Sequence, residues 1–319
     1  MLYYPNFLGG KSSKMKRYFR KNKSVPIGHM DRYPIPNCVF RYPVDVSFGS
    51  TKPSESHRLR INGPDGIRKS ANKVLTKNTI KDHCPVIMQY DHASKYINSS
   101  SIDLALLEEQ IGFPLVAKLK YGMGGNGMYY INNEQELIDF ANNIPESNIK
   151  SYFFEKFFDF TTEYRIHVAP LLKGIRIPYV YEYALKNSEG EWIIARNSPP
   201  IRENGEILGI QKKVSAGFTG NRNRGQGVTF SSNFNRPTEW PAMVEASIKA
   251  CELMGLDFCC TDIMYNRHTR EFVISETNTN PGMDNIIDNP CRNVTAQHYQ
   301  QMFPHLITRK YLKLCAVSL

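Results

Sequence analysis

The sequence predicts an α+β protein whose lobes share one continuous body. Three observations point there. Strand-like and helix-like segments follow one another without strict alternation, which argues against a barrel. Apolar residues make up 41% of 319, enough for a sizeable core. A glycine-rich stretch lies between two strand-like segments instead of opening a helix.

Residues 1–60 are rich in Pro, Tyr and Lys, and Tyr33-Pro34-Ile35-Pro36 and Tyr42-Pro43 suit an irregular arm or short strands. Ala71 to Lys81 is predicted helical, with Val74, Leu75 and Thr79 near one face and Pro85 beyond its end. Val86 to Tyr90 is a strand candidate. Ile102 to Ile111 has helical spacing and Gly112 as its stop. Phe113 to Lys118 is predicted to be a buried strand, and Met128 to Ile131 the strand returning from the glycine loop. Asn133 to Asn142 is predicted helical, with Asn133 as N-cap and Glu136 at the capping-box position. Strands are expected over Tyr152 to Phe158, Tyr164 to Ala169 and Pro178 to Leu185. Trp240 to Met254 is a helix ended by Gly255. Phe258 to Tyr265 and Glu271 to Ser275 form a hairpin around Asn266-Arg267-His268, and Asn293 to Leu314 is helical.

No stretch approaches the roughly 18 uninterrupted apolar residues of a membrane span, and no apolar run with a small-residue cleavage site follows the first residues. The seven cysteines are odd in number and irregularly spaced, which fits buried thiols in a reducing compartment. The expectation is a cytoplasmic protein with no membrane partner. The net charge of +10 is uneven. Lys11, Lys14, Lys16, Arg17, Arg20, Lys21 and Lys23 precede the first acid, Asp31. A second acid-free stretch, Ile207 to Asn235, carries Lys212, Lys213, Arg222 and Arg224. Such charge favours an anionic partner: nucleotide phosphates, nucleic acid or an acidic peptide. A solvated surface is the alternative.

The glycine-rich loop is Lys118-Leu119-Lys120-Tyr121-Gly122-Met123-Gly124-Gly125-Asn126-Gly127. Glycines let backbone amides approach phosphate oxygens. The loop lacks the Gly-Lys-Ser/Thr of a P-loop and does not begin a helix, so it reads as a flap over a nucleotide or as a plain hairpin. The acidic cluster is more specific. If the two strands flanking Asn266 pair, Asp262 comes near Glu276, with Asn278 following. Two carboxylates and an amide oxygen suit Mg2+, which takes hard oxygens and keeps nucleotide phosphates as further ligands. Pro281-Gly282 then turns the chain. On the strand Glu163-Tyr164-Arg165-Ile166-His167, residues Glu163, Arg165 and His167 share one face. His167 is either a general base or a hydrogen-bonded sheet histidine.

The order of these motifs resembles the ATP-grasp superfamily over about residues 60 to 288. Asn72-Lys73 resembles its early Asp/Asn-Lys signature, and Val116-Ala117-Lys118 with the glycines Gly124, Gly125 and Gly127 its second lysine and flap. Phe154-Glu155-Lys156-Phe157-Phe158 resembles the adenine-holding hinge, Glu163 the ribose-binding acid, and Asp262, Glu276 and Asn278 the metal triad. The resemblance implies two α+β lobes gripping ATP, a small lobe over 61–150 and a large lobe over 151–319, after a basic arm or reduced region over 1–60. Lys73 and Lys118 would lie on the phosphates, Glu155 and its neighbours on adenine, and two Mg2+ ions (Mn2+ being the alternative) on the triad. It also implies a carboxylate substrate, an acyl phosphate, ADP release and an amine-type nucleophile, with a thiol as the alternative. Asn221-Arg222-Asn223-Arg224-Gly225 is similar to the Asn-x-x-Arg-Gly element of ligases that add glutamate to ribosomal protein tails and of related peptide ligases. By that likeness Arg224 steadies the transferring phosphoryl group, with Asn221 beside it and Lys212 or Lys213 on phosphate, while Arg165 reaches the acceptor or phosphate. D-alanine–D-alanine ligases carry an arginine two residues before the metal aspartate, where this chain has Cys260. The N-terminal region is shorter than the αβ lobe common in the superfamily. Three functions stand at this point: a ligase acting on an anionic macromolecular acceptor, a small-molecule amino-acid or peptide ligase, and a non-catalytic nucleotide-dependent nucleic-acid binder.

Overall fold

The computed structural model describes residues 6–9, 44–51, 59–98, 101–122, 127–175, 181–186, 192–197, 206–214, 229–231, 234–281 and 294–317. In the N-terminal region, strands β1 (Asn6–Gly9), β2 (Val44–Phe48) and β3 (Leu59–Ile61) form a parallel sheet in the order β1-β2-β3. Short strands are present among the described residues of this region, while Tyr33 to Pro36 and Tyr42-Pro43 lie outside them. The whole of β2 is buried, Asp45 and Ser47 included.

Two helices follow. Helix α1 (Pro64–Ala71) carries Pro at its start, where no amide partner is lost. Helix α2 (Lys73–Ile80) begins at Asn72, whose side chain accepts bonds from the Val74 and Leu75 amides at 3.1 and 3.2 Å. Helix α1 was not expected from the sequence, and the helix expected over Ala71 to Lys81 is α2, beginning two residues later. Its buried face is Val74, Thr76, Lys77 and Ile80, while Leu75 is exposed. Residues 85–89 are not a strand, and the strand begins only at β4 (Tyr90–His92).

The small lobe is an antiparallel sheet in the order β4-β7-β5-β6. It comprises β4, β5 (Leu115–Leu119), β6 (Met128–Ile131) and β7 (Tyr152–Lys156), with helices α3 (Leu104–Gln110), α4 (Glu134–Asn143) and α5 (Glu146–Ile149). Leu107, Leu115, Ala117, Leu137, Phe140 and Phe154 form its core. The predicted cap of α4 is present: Asn133 accepts from the Glu136 amide at 3.0 Å. The Glu136 carboxylate reaches back to the amide of Asn132, one residue earlier than the usual capping box.

The large lobe is a five-stranded antiparallel sheet in the order β12-β11-β8-β13-β14. Its strands are β8 (Thr162–Val168), β11 (Ile207–Val214), β12 (Thr229–Ser231), β13 (Cys259–Asn266) and β14 (Glu271–Asn278), and β9 (Tyr181–Lys186) pairs with β10 (Trp192–Asn197) as a separate ribbon. Helix α6 (Trp240–Leu253) ends near Gly255, whose φ of +68° suits glycine. Its buried residues Met243, Ala250 and Cys251 pack on Tyr164, Ile166 and Ile263, covering one face of the sheet. Helix α7 (Val294–Val317) contributes Tyr299, Met302, Phe303 and Leu306 to a core shared with Val46, Phe48, Ile61 and Phe258. No helix among the described residues is long and apolar enough to cross a membrane.

Candidate active site

The face of the large sheet opposite α6 carries the polar residues of β8. Antiparallel register sets Arg165 beside Asp262, and Asp262 beside Glu276. One step along, His167 lies beside Cys260, and Cys260 beside Asn278. One step the other way, Glu163 lies beside Met264. A bulge in β14 shifts the register between Asp262 and Ile263, and the Ser275 hydroxyl there donates to the Asp262 carbonyl at 3.1 Å. Such bulges re-aim side chains at sheet sites. Asp262, Glu276 and Asn278 therefore come together on one face.

Every acid on this face has a cation. Arg165 binds Asp262 bidentately, through Nε to Oδ1 and Nη2 to Oδ2, both at 2.7 Å. Burial pushes the Asp262 carboxyl up, but the Arg165 guanidinium outweighs it and holds the carboxyl below its ordinary value. Lys73, first residue of α2, pairs with Glu276. Lys213 pairs with Glu163. Position 260 is a cysteine, and the arginine beside Asp262 is Arg165 of the neighbouring strand. Two acids directly opposite each other on paired strands repel unless a cation joins them. The donors of Asp262, Glu276 and Asn278 are all oxygens, which fits a Mg2+ ion. Among the described residues no group of three or more His, Cys, Asp or Glu side chains is placed to hold a metal. Each of the three side chains already has a partner: Arg165 on Asp262, Lys73 on Glu276, and the Asn280 amide donating to Asn278 Oδ1 at 2.8 Å.

In the small lobe, Lys118 of β5 and Lys77 of α2 both reach Glu155 of β7. Lys118 pairs with Oε1, and Lys77 Nζ lies 3.0 Å from Oε2. Lys77 and Glu155 are each 1% exposed and Lys118 10%. Burial pushes Glu155 up, yet the two lysines bring it down to about 2. The carboxylate expected on adenine is thus turned into this cluster. After β7, the Phe157 amide donates to the Pro114 carbonyl at 3.0 Å, and the Lys156 ammonium to the Phe113 carbonyl at 2.6 Å. The Phe157 ring meets Tyr130 edge-on at 4.9 Å, and Phe158 is half-buried. Gly127 has a φ of +66° where the glycine loop rejoins β6.

His167 is fully buried. Its Nδ1 is 3.0 Å from the Tyr299 hydroxyl, and its Nε2 is 3.4 Å from the Gln211 side-chain oxygen. Burial and the nearby Arg165 charge lower its pKa to about 3, so it is a neutral, hydrogen-bonded sheet histidine. Lys212 lies on β11 opposite Tyr164 and Ser231. Gly124, Gly125, Asn221, Arg224 and Gly282 lie outside the described residues, as does the basic segment 11–23. Sequence reasoning missed Lys77. The available signal was its position one helical turn after Lys73, which puts both on one face.

A family model described as the carbamoyl-phosphate synthase L chain, ATP binding domain, matches residues 73–169. No curated protein matches the sequence. Among solved structures, a D-alanine–D-alanine ligase from Bacillus anthracis complexed with ATP is similar over 100% of both chains, with a TM-score of 0.57 at 14% identity. An N5-carboxyaminoimidazole ribonucleotide synthetase from Thermotoga maritima is similar over 94% of this chain and 75% of its own, with a TM-score of 0.51 at 15% identity. A biotin carboxylase–β,γ-ATP complex from Campylobacter jejuni is similar over 84% of this chain and 54% of its own, with a TM-score of 0.53 at 14% identity. The chain has the ATP-grasp fold.

Proposed function

We propose that this protein is an ATP-dependent, ADP-forming ligase that joins a carboxylate to an amine through an acyl phosphate. The observation that carries the reading is the Lys73–Glu276 pair. It brings a lysine from the start of α2 onto the acidic face of the large sheet, so a phosphate-type cation and metal-type carboxylates meet there. Similar folds appear in proteins whose names state ATP-dependent or ligase chemistry.

In this reading Lys73 and Lys118 hold the nucleotide phosphates, and the hinge at Lys156, Phe157 and Phe158 packs on the adenine. Glu163 accepts from the ribose. Asp262, Glu276 and Asn278 hold Mg2+, which when bound supplies charge neutralisation for the phosphoryl oxygens. A substrate carboxylate oxygen attacks the γ-phosphorus, the bond to the β–γ bridging oxygen breaks, and ADP leaves. The amine then attacks the acyl carbon, phosphate departs with the C–O electron pair, and the amine loses a proton. Arg165 lies where charge develops beside Asp262, and preorganised donors of this kind supply much of such catalysis. Arg224, Asn221 and Lys212 or Lys213 complete the proposal. The element Asn221 to Gly225, together with Cys260, favours the peptide-ligase branch.

The test is phosphate release from ATP across a panel of amines and carboxylates, with nucleotide products separated by chromatography. ADP and phosphate from wild type, and loss of both in Glu276→Gln, are expected. AMP and pyrophosphate as products would overturn the acyl-phosphate route.

A further inference from the structure

Lys77 has no place in the chemistry above, yet the fold buries it completely. It is 1% exposed, on the core-facing side of α2. Burying an ammonium costs several kcal/mol of effective desolvation, so its presence calls for a reason. Its carboxylate partner is Glu155, at 3.0 Å. That contact is an ion pair outside hydrogen-bond geometry, so its strength lies in charge. The face of the Tyr90 ring is its other neighbour, with Nζ 5.7 Å from the centroid.

Glu155 takes Lys118 on one oxygen and Lys77 on the other. Two lysines thus share one carboxylate; burial pulls the Lys77 ammonium below its ordinary value and the Glu155 carboxylate opposes that, and with both lysines protonated the cluster carries one uncompensated positive charge. The three groups are not equally enclosed. Lys77 and Glu155 are sealed at 1% exposure, while Lys118 keeps 10%. The surplus charge is therefore presented at Lys118. Lys118 alone on Glu155 would be a neutral pair, its charge spent inside the protein.

We propose that Lys77 is a positioning residue that occupies one oxygen of Glu155 and so leaves Lys118 with charge to offer a nucleotide phosphate. The proposal rests on the nucleotide-binding reading of the site but needs no turnover. It differs from a merely structural role, in which Lys77 would only neutralise an acid buried for packing.

The two roles separate by charge arithmetic. The cluster is +1 in wild type. It is 0 in Lys77→Met, and +1 again in Lys77→Met combined with Glu155→Gln, where Lys118 is the sole ion. Binding of ADP and of inorganic tripolyphosphate is measured by calorimetry on the three full-length proteins. Lys77→Met is expected to weaken both on the order of tenfold, as Coulomb's law gives for one unit charge removed at roughly 10 Å and an effective dielectric near 20. The double variant is expected to return to within about threefold of wild type on the same Coulomb argument. A merely structural pair would show in stability alone: Lys77→Met would unfold more readily, Glu155→Gln would relieve that loss, and the folded proteins would bind both probes alike. Unchanged binding in Lys77→Met, or weakened binding that Glu155→Gln does not restore, overturns the proposal. Should the single variant not fold, the double variant decides: retained binding supports it and lost binding overturns it. Wild type that binds neither probe would overturn the proposed function itself, and this inference with it.

Discussion

Replacing His167 with Gln should remove an acid sensitivity that the structure builds into the large lobe. The imidazole is fully buried, between the Tyr299 hydroxyl at 3.0 Å and Gln211 at 3.4 Å. Its pKa is about 3 in the fold against 6.5 ordinarily. The sign follows from proton binding. Below pH 6.5 the unfolded chain takes up a proton that the folded chain refuses, so the unfolded state gains as pH falls, until the folded value is reached. From these two values the loss of stability from this group is about 2 kcal/mol at pH 5 and about 3 kcal/mol at pH 4. Gln is neutral at both values and also offers a donor and an acceptor. Whatever Gln costs at pH 7, the drop from pH 7 to pH 5 should be about 2 kcal/mol smaller in the variant. With an unfolding entropy of about 0.7 kcal/mol per kelvin for 319 residues, that is about 3 °C in Tm. The assay is thermal or urea unfolding of both proteins at pH 7, 6 and 5. Other acid-sensitive groups, Glu155 among them, are common to both proteins and cancel in the difference. Parallel losses in the two proteins would refute the reasoning, because the imidazole would then protonate as readily folded as unfolded.

Gly66→Ala should destabilise in spite of alanine's better helix propensity. A Cβ there would lie 2.7 Å from a Leu256 methyl and 2.8 Å from the Met254 carbonyl oxygen, and the second is backbone that cannot swing away. Overpacking of this kind costs about 1–3 kcal/mol, more than the roughly 1 kcal/mol gained in a helix; a raised Tm would contradict the close approach. Asn72→Ala should cost about 1 kcal/mol by uncapping α2, and should also weaken ADP binding, because the residue after the cap is Lys73. Unfolding and calorimetry on the same samples check both, and an unchanged ADP affinity would show that the cap does not set the position of Lys73.

Legibility in the sequence followed the strength of local signals. The β13–β14 hairpin was readable because Asn266-Arg267-His268 interrupts two apolar runs, and the pairing of Asp262 with Glu276 follows from that turn. The Asn266 side chain accepts from the His268 and Thr269 amides, which fixes the turn. Helix α4 was readable from its cap and α6 from its terminating glycine. The parallel sheet was legible only as short strands, since Asp45 and Ser47 are polar residues of a fully buried strand and break the apolar run. Strand β11 was hidden because Lys212 and Lys213 made it look like part of a basic loop. Lys77 was hidden for the same reason inside a helix: a lysine at helical spacing reads as a solvated face. Only the long-range contact with Glu155, 78 residues away in sequence, overrides that reading.

The acid–base pairs of the site fall into two kinds, and exposure separates them. Lys73 with Glu276 is 18% and 30% exposed, and Lys213 with Glu163 is 23% on both sides. These pairs are part-buried and keep some contact with solvent, unlike the sealed Lys77–Glu155 pair. In the proposed function Lys73 would exchange its partner for a phosphate and Glu276 for a metal ion. Glu155 is different. Its carboxylate is sealed, and breaking one contact of a buried ion group costs about 3–5 kcal/mol. It cannot swing out to meet a ligand at that expense. In the proposed function Glu155 would then act through Lys118, the least enclosed member of the cluster, while Lys73 and Glu276 would part to meet the nucleotide and its metal.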